Sequence, residues 1–495
     1  MKNFLNIRMK IAFVQDIIQF SVPLGTTLIA GSLRHAGHEV EVYVVENNLD
    51  KTLRELEQYK PDAVAFSVIT GSHKEYIKIA RSIKQKLNIP IIWGGPHATF
   101  FPKIIEENYA DAVCVGEGED AALDFANAFD DSGGKIPTKI KNFWVKIDGK
   151  IYRNPVRPRI RDLDKVAYAA RDLYFKKFPI LKNHGIKHFL AHRGCPHKCT
   201  YCFNHSYNKM YREQAGDKKV LYSRSPDSIV DEILWLKNHA TVKMVYFVDD
   251  VFTIDKKWTL KFAEVYARRC NIPFSVNARF DHLDEEIVSS LAKAGLYLVY
   301  AGVEAGNEYI RNTVMEREQS IKEIYYAGNL LKKYGIKLLT ENVLGNPGET
   351  FEMVMETLEV NMKLKPIIAN ASIFAPYPGL KMTRYAIDKG YFDGDYDRLE
   401  STYYDSSVIK FDNKGDEQKI FNLRCFFSLL THHPKLLGLI KPLLSLRFKR
   451  LFWWIGYALD GYYLRKGLAY KQGFKEFFST VFHYLTNYRA GSDLK

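Results

Sequence analysis

The sequence predicts an α/β protein with an N-terminal doubly wound parallel sheet, a partial (β/α)6 barrel and a helical C-terminal region. Three observations carry this. Strand-like and helix-like segments alternate through the first ~130 residues, as in an open sheet covered on both faces. The same rhythm resumes near Lys187 for six further units, enough for a partial barrel. Beyond about Ser401 the apolar spacing is helical and the strand rhythm is absent. A chain of 495 residues, 46% of them apolar and 14% aromatic, has material for two or three ordinary cores. The boundaries expected are 1–135 for the first domain, 136–184 for a hairpin and connector, 185–395 for the barrel and 396–495 for the basic, aromatic tail.

In the first domain KIAFVQ reads as a strand, TTLIAGSLRHAG as a helix closed by Gly37, and EVEVYVVE as the next strand. PDAVAFSVI, IPIIWGG and DAVCVGEGE follow as strands, with HKEYIKIARSIKQKL as a helix between the first two and another helix starting at Asp120. Ligands of such sheets sit outside the carboxyl ends of the strands, so the loops 16–25, 67–73, 94–99 and 116–119 are candidate binding loops. They hold Gly25, Ser67, Thr70, Gly94, Gly95, His97, Gly116, Glu117 and Gly118. KNFWVKIDGKIYRNP alternates about Asp148-Gly149 as a β-hairpin does.

In the second rhythm KHFLAH leads into a cysteine loop, and SPDSIVDEILWLKNH is a helix with Ser225 as its cap. VKMVYFVDD, PFSVNARF, LYLVYAGVE, KLLTENVLG and the segment around ASIFAPYPG supply the remaining strands. The loop AHRGCPHKCTYCFNH places Cys195, Cys199 and Cys202 within eight positions, while Cys114, Cys270 and Cys425 are scattered. Six cysteines do not make a disulfide framework in a chain this long; the crowding reads as metal binding in a reducing compartment. Two metals fit at this point. A small zinc site would need a fourth ligand such as His197 or His205. A cluster of four irons on three thiolates leaves one iron open for a small molecule.

The pattern CxxxCxxC, after a strand and at the start of a β/α barrel, resembles the signature of the radical S-adenosylmethionine (SAM) superfamily. The resemblance implies a 4Fe-4S cluster on Cys195, Cys199 and Cys202, whose open iron binds SAM and whose reduction releases a 5′-deoxyadenosyl radical. It further implies SAM contacts from Tyr201, from Asp249 and Asp250 in FVDD, from Arg279 in NARFD, from Glu304 in GVEAGNE, and from Gly345 and Pro347 in LGNPGET. Ala305 stands where the family carries Ser, which removes one hydrogen-bonding partner.

The first domain, with GGPH and GEGE, looks like the cobalamin-binding domain that precedes this barrel in one large class. The DxHxxG pattern whose His coordinates cobalt is absent, so the resemblance implies cobalamin held through backbone loops. It implies an enzyme that methylates an unactivated carbon of a small-molecule substrate, using a low-potential electron donor of flavodoxin or ferredoxin type. The same scaffold resembles an anaerobic oxidative cyclase of porphyrin rings; a non-catalytic cobalamin or iron–sulfur sensor is the reading from another class.

The formal charge is +14, and from Phe421 to Lys495 there are 12 Lys or Arg against 3 Asp or Glu. Basic and aromatic residues together suit a membrane surface or an apolar, acidic substrate better than a duplex groove, so no nucleic acid is expected. Two readings of the tail stay open: a helical cap over the barrel mouth, or peripheral membrane contact with a lipid-like substrate. The start of the chain lacks a small-residue cleavage site, so the expected location is cytoplasmic, with possible membrane association.

Overall fold

The computed structural model describes residues 8–18, 21–46, 48–399, 407–470 and 473. The part of the basic tail at 471–472 and 474–495 lies outside them. The described residues form two compact units, 8–184 with 207–224 and 185–206 with 225–473.

The first unit is a seven-stranded sheet. Its parallel strands are β1 (Lys10–Gln15), β2 (Glu39–Val44), β3 (Ala63–Ser67), β4 (Ile91–Gly94) and β5 (Ala112–Cys114). The hairpin strands β6 (Phe143–Ile147) and β7 (Lys150–Arg153) add antiparallel to β5, giving the order β2-β1-β3-β4-β5-β6-β7. All five strands run parallel, but the order of addition switches sides at β1, so that β2 and β3 flank it, and at such a switch point a doubly wound sheet opens a ligand crevice. The hairpin turns at Asp148 (φ 48°) and Gly149 (φ 76°), the left-handed pair expected of a type I′ turn. The core is apolar and aromatic: Trp93 is fully buried, packs edge-on to Phe66 at 5.2 Å, and donates its Nε1–H to the Tyr109 carbonyl at 3.3 Å. A helix that the sequence reading did not single out, Leu49–Tyr59, starts where the Asn48 side chain accepts the Lys51 N–H at 3.0 Å.

The second unit contains a six-stranded, all-parallel sheet: β8 (Ile186–Phe189), β9 (Met244–Phe247), β10 (Phe274–Ala278), β11 (Leu296–Glu304), β12 (Lys337–Leu344) and β13 (Ile368–Ile373). They lie in chain order, β8 to β13, and curl into a half-barrel. Five helices return the chain from strand end to strand start, and each begins on a side-chain cap: Ser225, Asp255, Asp284, Ser320 and Thr350. A cap satisfies an orphan N–H and contributes about 1 kcal/mol, so each loop at a strand's carboxyl end has a fixed stop. Ser320 forms a full capping box with Glu323.

The tail corrects one expectation. The helix Lys449–Lys466 does not cover the mouth: its Tyr463 clusters with Met244, Leu298, Leu339 and Ile368, all at or near the strand starts, and so closes the base of the half-barrel. Among the described residues no helix is long and apolar enough to cross a membrane.

Candidate functional site

The cysteine loop leaves the carboxyl end of β8 and is anchored before the first thiol. Asp249 is fully buried, and its carboxylate accepts the backbone N–H groups of Ala191 (3.0 Å) and His192. Its own carbonyl accepts Asn277 Nδ2–H at 2.9 Å. Of the two carboxylates expected at the ligand, Asp249 therefore positions the loop, and the exposed Asp250 is the one on the open side, next to Asn204. Gly194, at φ 86°, makes the turn that L side chains resist. Beyond the second cysteine, Thr200 locks the loop: its N–H donates to Met315 O (2.9 Å), its Oγ1–H to Val314 O (2.7 Å), and its carbonyl accepts Met382 N–H (3.0 Å).

Cys195 and Cys199 are buried, Cys202 is half-buried, and none forms a disulfide. Burial pushes the Cys195 thiol up to about 12 and the Cys202 thiol up to about 11, so thiolates here need a positive partner. A metal supplies it. The spacing favours a cluster over one zinc: tetrahedral Zn–S bonds of ~2.3 Å bring sulfurs within ~3.8 Å of each other. Among the described residues the trio of ligand atoms that all lie within 4.8 Å is His197, Asp281 and His282; the three thiols stand further apart. His197 Nε2 sits 2.9 Å from His282 Nε2, so this ring is turned toward a second histidine. Arg279, buried, donates Nη1–H to Cys199 Sγ at 3.6 Å while Asp281 holds its other edge at 2.9–3.0 Å. A fixed guanidinium at that distance stabilises negative charge on the sulfur side.

Arg317 is the hub that the sequence reading missed. It is buried; Nη1–H donates to the Tyr201 hydroxyl at 2.6 Å and pairs with Glu304 Oε1 at 3.2 Å, and Nη2–H donates to Gly302 O at 2.9 Å. Its carbonyl accepts Arg279 Nη2–H at 2.7 Å. Two expected site residues, Tyr201 and Glu304, and the strand end at Gly302 thus meet on one side chain, and a third, Arg279, meets its backbone carbonyl. Glu304 has φ 63°, an uncommon conformation for a residue with a side chain, at the bulge where β11 slips against β12. Gly302 leaves the room this arrangement uses: a Cβ there would sit 2.0 Å from Glu304 Oε1 and would displace the carboxylate. Ala305 is fully buried in an apolar cluster, and its carbonyl accepts Arg311 Nη1–H at 2.9 Å, so the position is packed.

The NPGE turn after β12 is built on Glu349, whose Oε2 accepts Asn346 N–H (3.0 Å) and Nδ2–H (2.9 Å). Gly345 (φ 72°) and Pro347 are buried in this turn, Gly345 against Phe411. Burial raises the Glu349 carboxyl to about 7, as it does Asp249 and Glu341. A carboxyl with a folded-state pKa above its unfolded ~4.3 adds stability that is complete below the unfolded value and is lost as pH rises through the folded one. Thermal unfolding of the apo chain is therefore expected to show Tm falling between about pH 5 and about pH 8, with a shallower fall in Glu349→Gln, which has no proton to lose. An unchanged slope in the variant would refute this assignment.

Between the thiol loop and the base, alternate strand residues face the lumen and are half-buried, unlike their fully buried neighbours facing the helices. His188 meets Tyr246 edge-on at 5.2 Å, Tyr246 stacks on Tyr300 at 4.7 Å and donates its hydroxyl to Asn277 Oδ1 at 2.8 Å. Glu341 accepts Asn370 Nδ2–H at 2.7 Å. A hydrocarbon core would not place these groups here, so the lumen is a site lining.

In the first unit the expected loops lie at the carboxyl ends of β1, β3, β4 and β5. Ser67 and Ile69 are exposed beside the β1/β3 switch point, and a Cβ on Gly25 would meet nothing within 4 Å, leaving room for a large ligand. Other members are committed internally. A Cβ on Gly95 would lie 2.7 Å from Val68 N, one on Gly116 2.4 Å from the Tyr211 hydroxyl, and one on Gly118 2.6 Å from Ile29 Cδ1. Glu117 donates its N–H to Tyr211 (2.7 Å) and accepts Ile160 N–H (2.9 Å). Gly94 ends β4, and His97, stacked on His73 at 4.4 Å and bonded to Thr70 Oγ1 at 3.1 Å, is lowered to about 3 by burial and stays neutral.

Residues 14–126 match the B12 binding domain and residues 190–360 match the Radical SAM superfamily. The uncharacterized methyltransferase PH0819 of Pyrococcus horikoshii is 27% identical over 74% of this chain and 78% of its own. The anaerobic magnesium-protoporphyrin IX monomethyl ester cyclase of Rubrivivax gelatinosus is 27% identical over 88% of this chain and 80% of its own. The fold is shared with the radical S-adenosylmethionine methyltransferase TsrM of Kitasatospora setae, solved with cobalamin and a [4Fe-4S] cluster, at TM-score 0.63 and 18% identity, covering 77% of this chain and 78% of that one.

Proposed function

For a chain that is a cobalamin-dependent radical SAM enzyme, with SAM, a 4Fe-4S cluster and cobalamin as its cofactors, we propose methyl transfer to an unactivated carbon of a small or lipid-like substrate. The observation that carries the reading is the pairing in one chain of the three-thiol loop with an open surface at the carboxyl end of β3, where Ser67 and Ile69 are exposed, and open space beside Gly25. When bound, the cluster and SAM supply a hydrogen-abstracting radical and cobalamin supplies a methyl group.

The residues of the chain bind, orient and exclude water. Cys195, Cys199 and Cys202 hold the cluster; Asp250, Arg279, Glu304 and Tyr201 frame the SAM site, with Gly345 and Pro347 in the turn beside it. Ser67, Thr70, Gly94, Gly95, His97, Gly116, Glu117 and Gly118 form the cobalamin loops with Gly25. The polar lumen around Glu341 and Asn370 orients the reacting part of the substrate through hydrogen bonds. Electrons come from a flavodoxin- or ferredoxin-type donor. The test is anaerobic turnover with SAM carrying a deuterated methyl group. A product heavier by the labelled methyl, formed only with cobalamin present, is the expected outcome. A product changed only in hydrogens or oxygen would overturn methyl transfer in favour of oxidative cyclisation, the second reading, which the 27% identity to a cyclase over 88% of the chain supports.

A further inference from the structure

We propose that the face formed by residues 437–464 is a docking surface for an anionic lipid bilayer. The helix Lys449–Lys466 is apolar on both sides. Its inner stripe packs on the helix Asp416–His432: Phe452 lies 5.1 Å from Phe426, and Gly456 approaches so closely that a Cβ would sit 2.8 Å from the Cys425 carbonyl. Its outer stripe, Leu451 (56% exposed), Trp454 (49%), Ile455 and Tyr462 (55%), recurs at helical spacing and faces solvent. Just before it Leu439 (72%) and Phe448 (57%) are exposed as well. Single exposed apolar residues need no explanation, but a continuous run of them marks an interaction surface.

Charge selects the occupant. Between His433 and Lys466 the sequence has seven Lys or Arg and one acid, Asp460, which is paired with Arg424 at 3.6 Å. Lys441, Arg447 and Arg450 are exposed and, among the described residues, in no salt bridge. A second copy docking isologously would bring these like charges together. A phosphate backbone would meet the cations but leave the Leu and Ile side chains against polar groups. A bilayer with anionic headgroups satisfies both, with the tryptophan at the interfacial level. The face lies at the strand starts, so docking there leaves the thiol loop at the other end of the same strands uncovered.

The test is flotation of the full-length chain with phosphatidylcholine vesicles and with vesicles containing phosphatidylglycerol. Wild type is expected to float with the anionic vesicles and to stay behind with the neutral ones, with binding weakened by salt. Arg447→Glu with Arg450→Glu is expected to cut partition roughly a hundredfold. Leu451→Asn with Trp454→Asn is expected to cut it comparably, and the arginine pair, whose side chains are exposed and in no salt bridge among the described residues, is expected to leave Tm unchanged and so separates lost binding from lost fold. Absence of flotation with anionic vesicles, or equal flotation of wild type and both variants, would overturn the proposal. A dimer in gel filtration that Leu451→Asn with Trp454→Asn disperses, without flotation, would reassign the face to a second copy.

Discussion

Cys199→Ala is expected to bring formation of 5′-deoxyadenosine from SAM to background in the anaerobically reconstituted, dithionite-reduced chain. Cys199 is buried and is the sulfur that Arg279 contacts, so the loss removes a ligand from the closed side of the loop, where no water can substitute. A partner that only orients a ligand typically costs ~10–100-fold when removed. Asn204, whose Nδ2–H points at Cys202 Sγ from 3.7 Å, belongs to that milder class. Asn204→Ala is thus expected to slow SAM cleavage within that range while keeping iron, and Cys199→Ala to lose both. Cobalamin content separates a local defect from global unfolding, because the loops proposed to hold it belong to the other unit. Full iron content and unchanged cleavage in Cys199→Ala would remove the cluster from this loop, and stoichiometric zinc in wild type would do the same.

The periodic parts of the fold were legible. Strand segments such as KIAFVQ and PDAVAFSVI, the cap at Ser225 and the turn at Asp148-Gly149 are local signals, and local signals survive folding. The three thiols were legible because their spacing is itself the chemistry. What failed to show has a common cause: it depends on partners distant in sequence. Arg317 sits in EREQS, a run that reads as a solvated face, and only the packing of 201, 302 and 304 around it turns it into the buried hub. Asp249 and Asp250 are indistinguishable in sequence, yet one is sealed under two amides and the other is open. The hairpin at 143–153 was visible, but its pairing with β5 was not, since register across a sheet is set by both strands. The tail's apolar spacing could not say which end of the barrel it closes.

Arg317→Met is expected to be the most damaging change outside the cysteines. It removes the cation while Glu304 and the Tyr201 hydroxyl stay in place, and stripping one partner from a buried pair typically costs ~3–5 kcal/mol because the other charge is left unpaired. With side-chain exposures of 7% for Arg317 and 12% for Glu304, solvent offers little relief. The Gly302 carbonyl also loses its donor, so the left-handed turn at Glu304 loses its brace. SAM cleavage is expected to drop by about a hundredfold or more, the upper end of what an orienting partner costs, because Tyr201 and Glu304 are freed together. A double-mutant cycle distinguishes pairing from packing. If the unpaired charge dominates, Glu304→Gln in the Arg317→Met background restores a large part of the unfolding free energy measured in denaturant on the apo chain, yet leaves SAM cleavage low. If the double variant is as unstable as the sum of the two single ones, the pair contributes no coupling, and Arg317 acts through its contacts with Gly302 and Tyr201 instead.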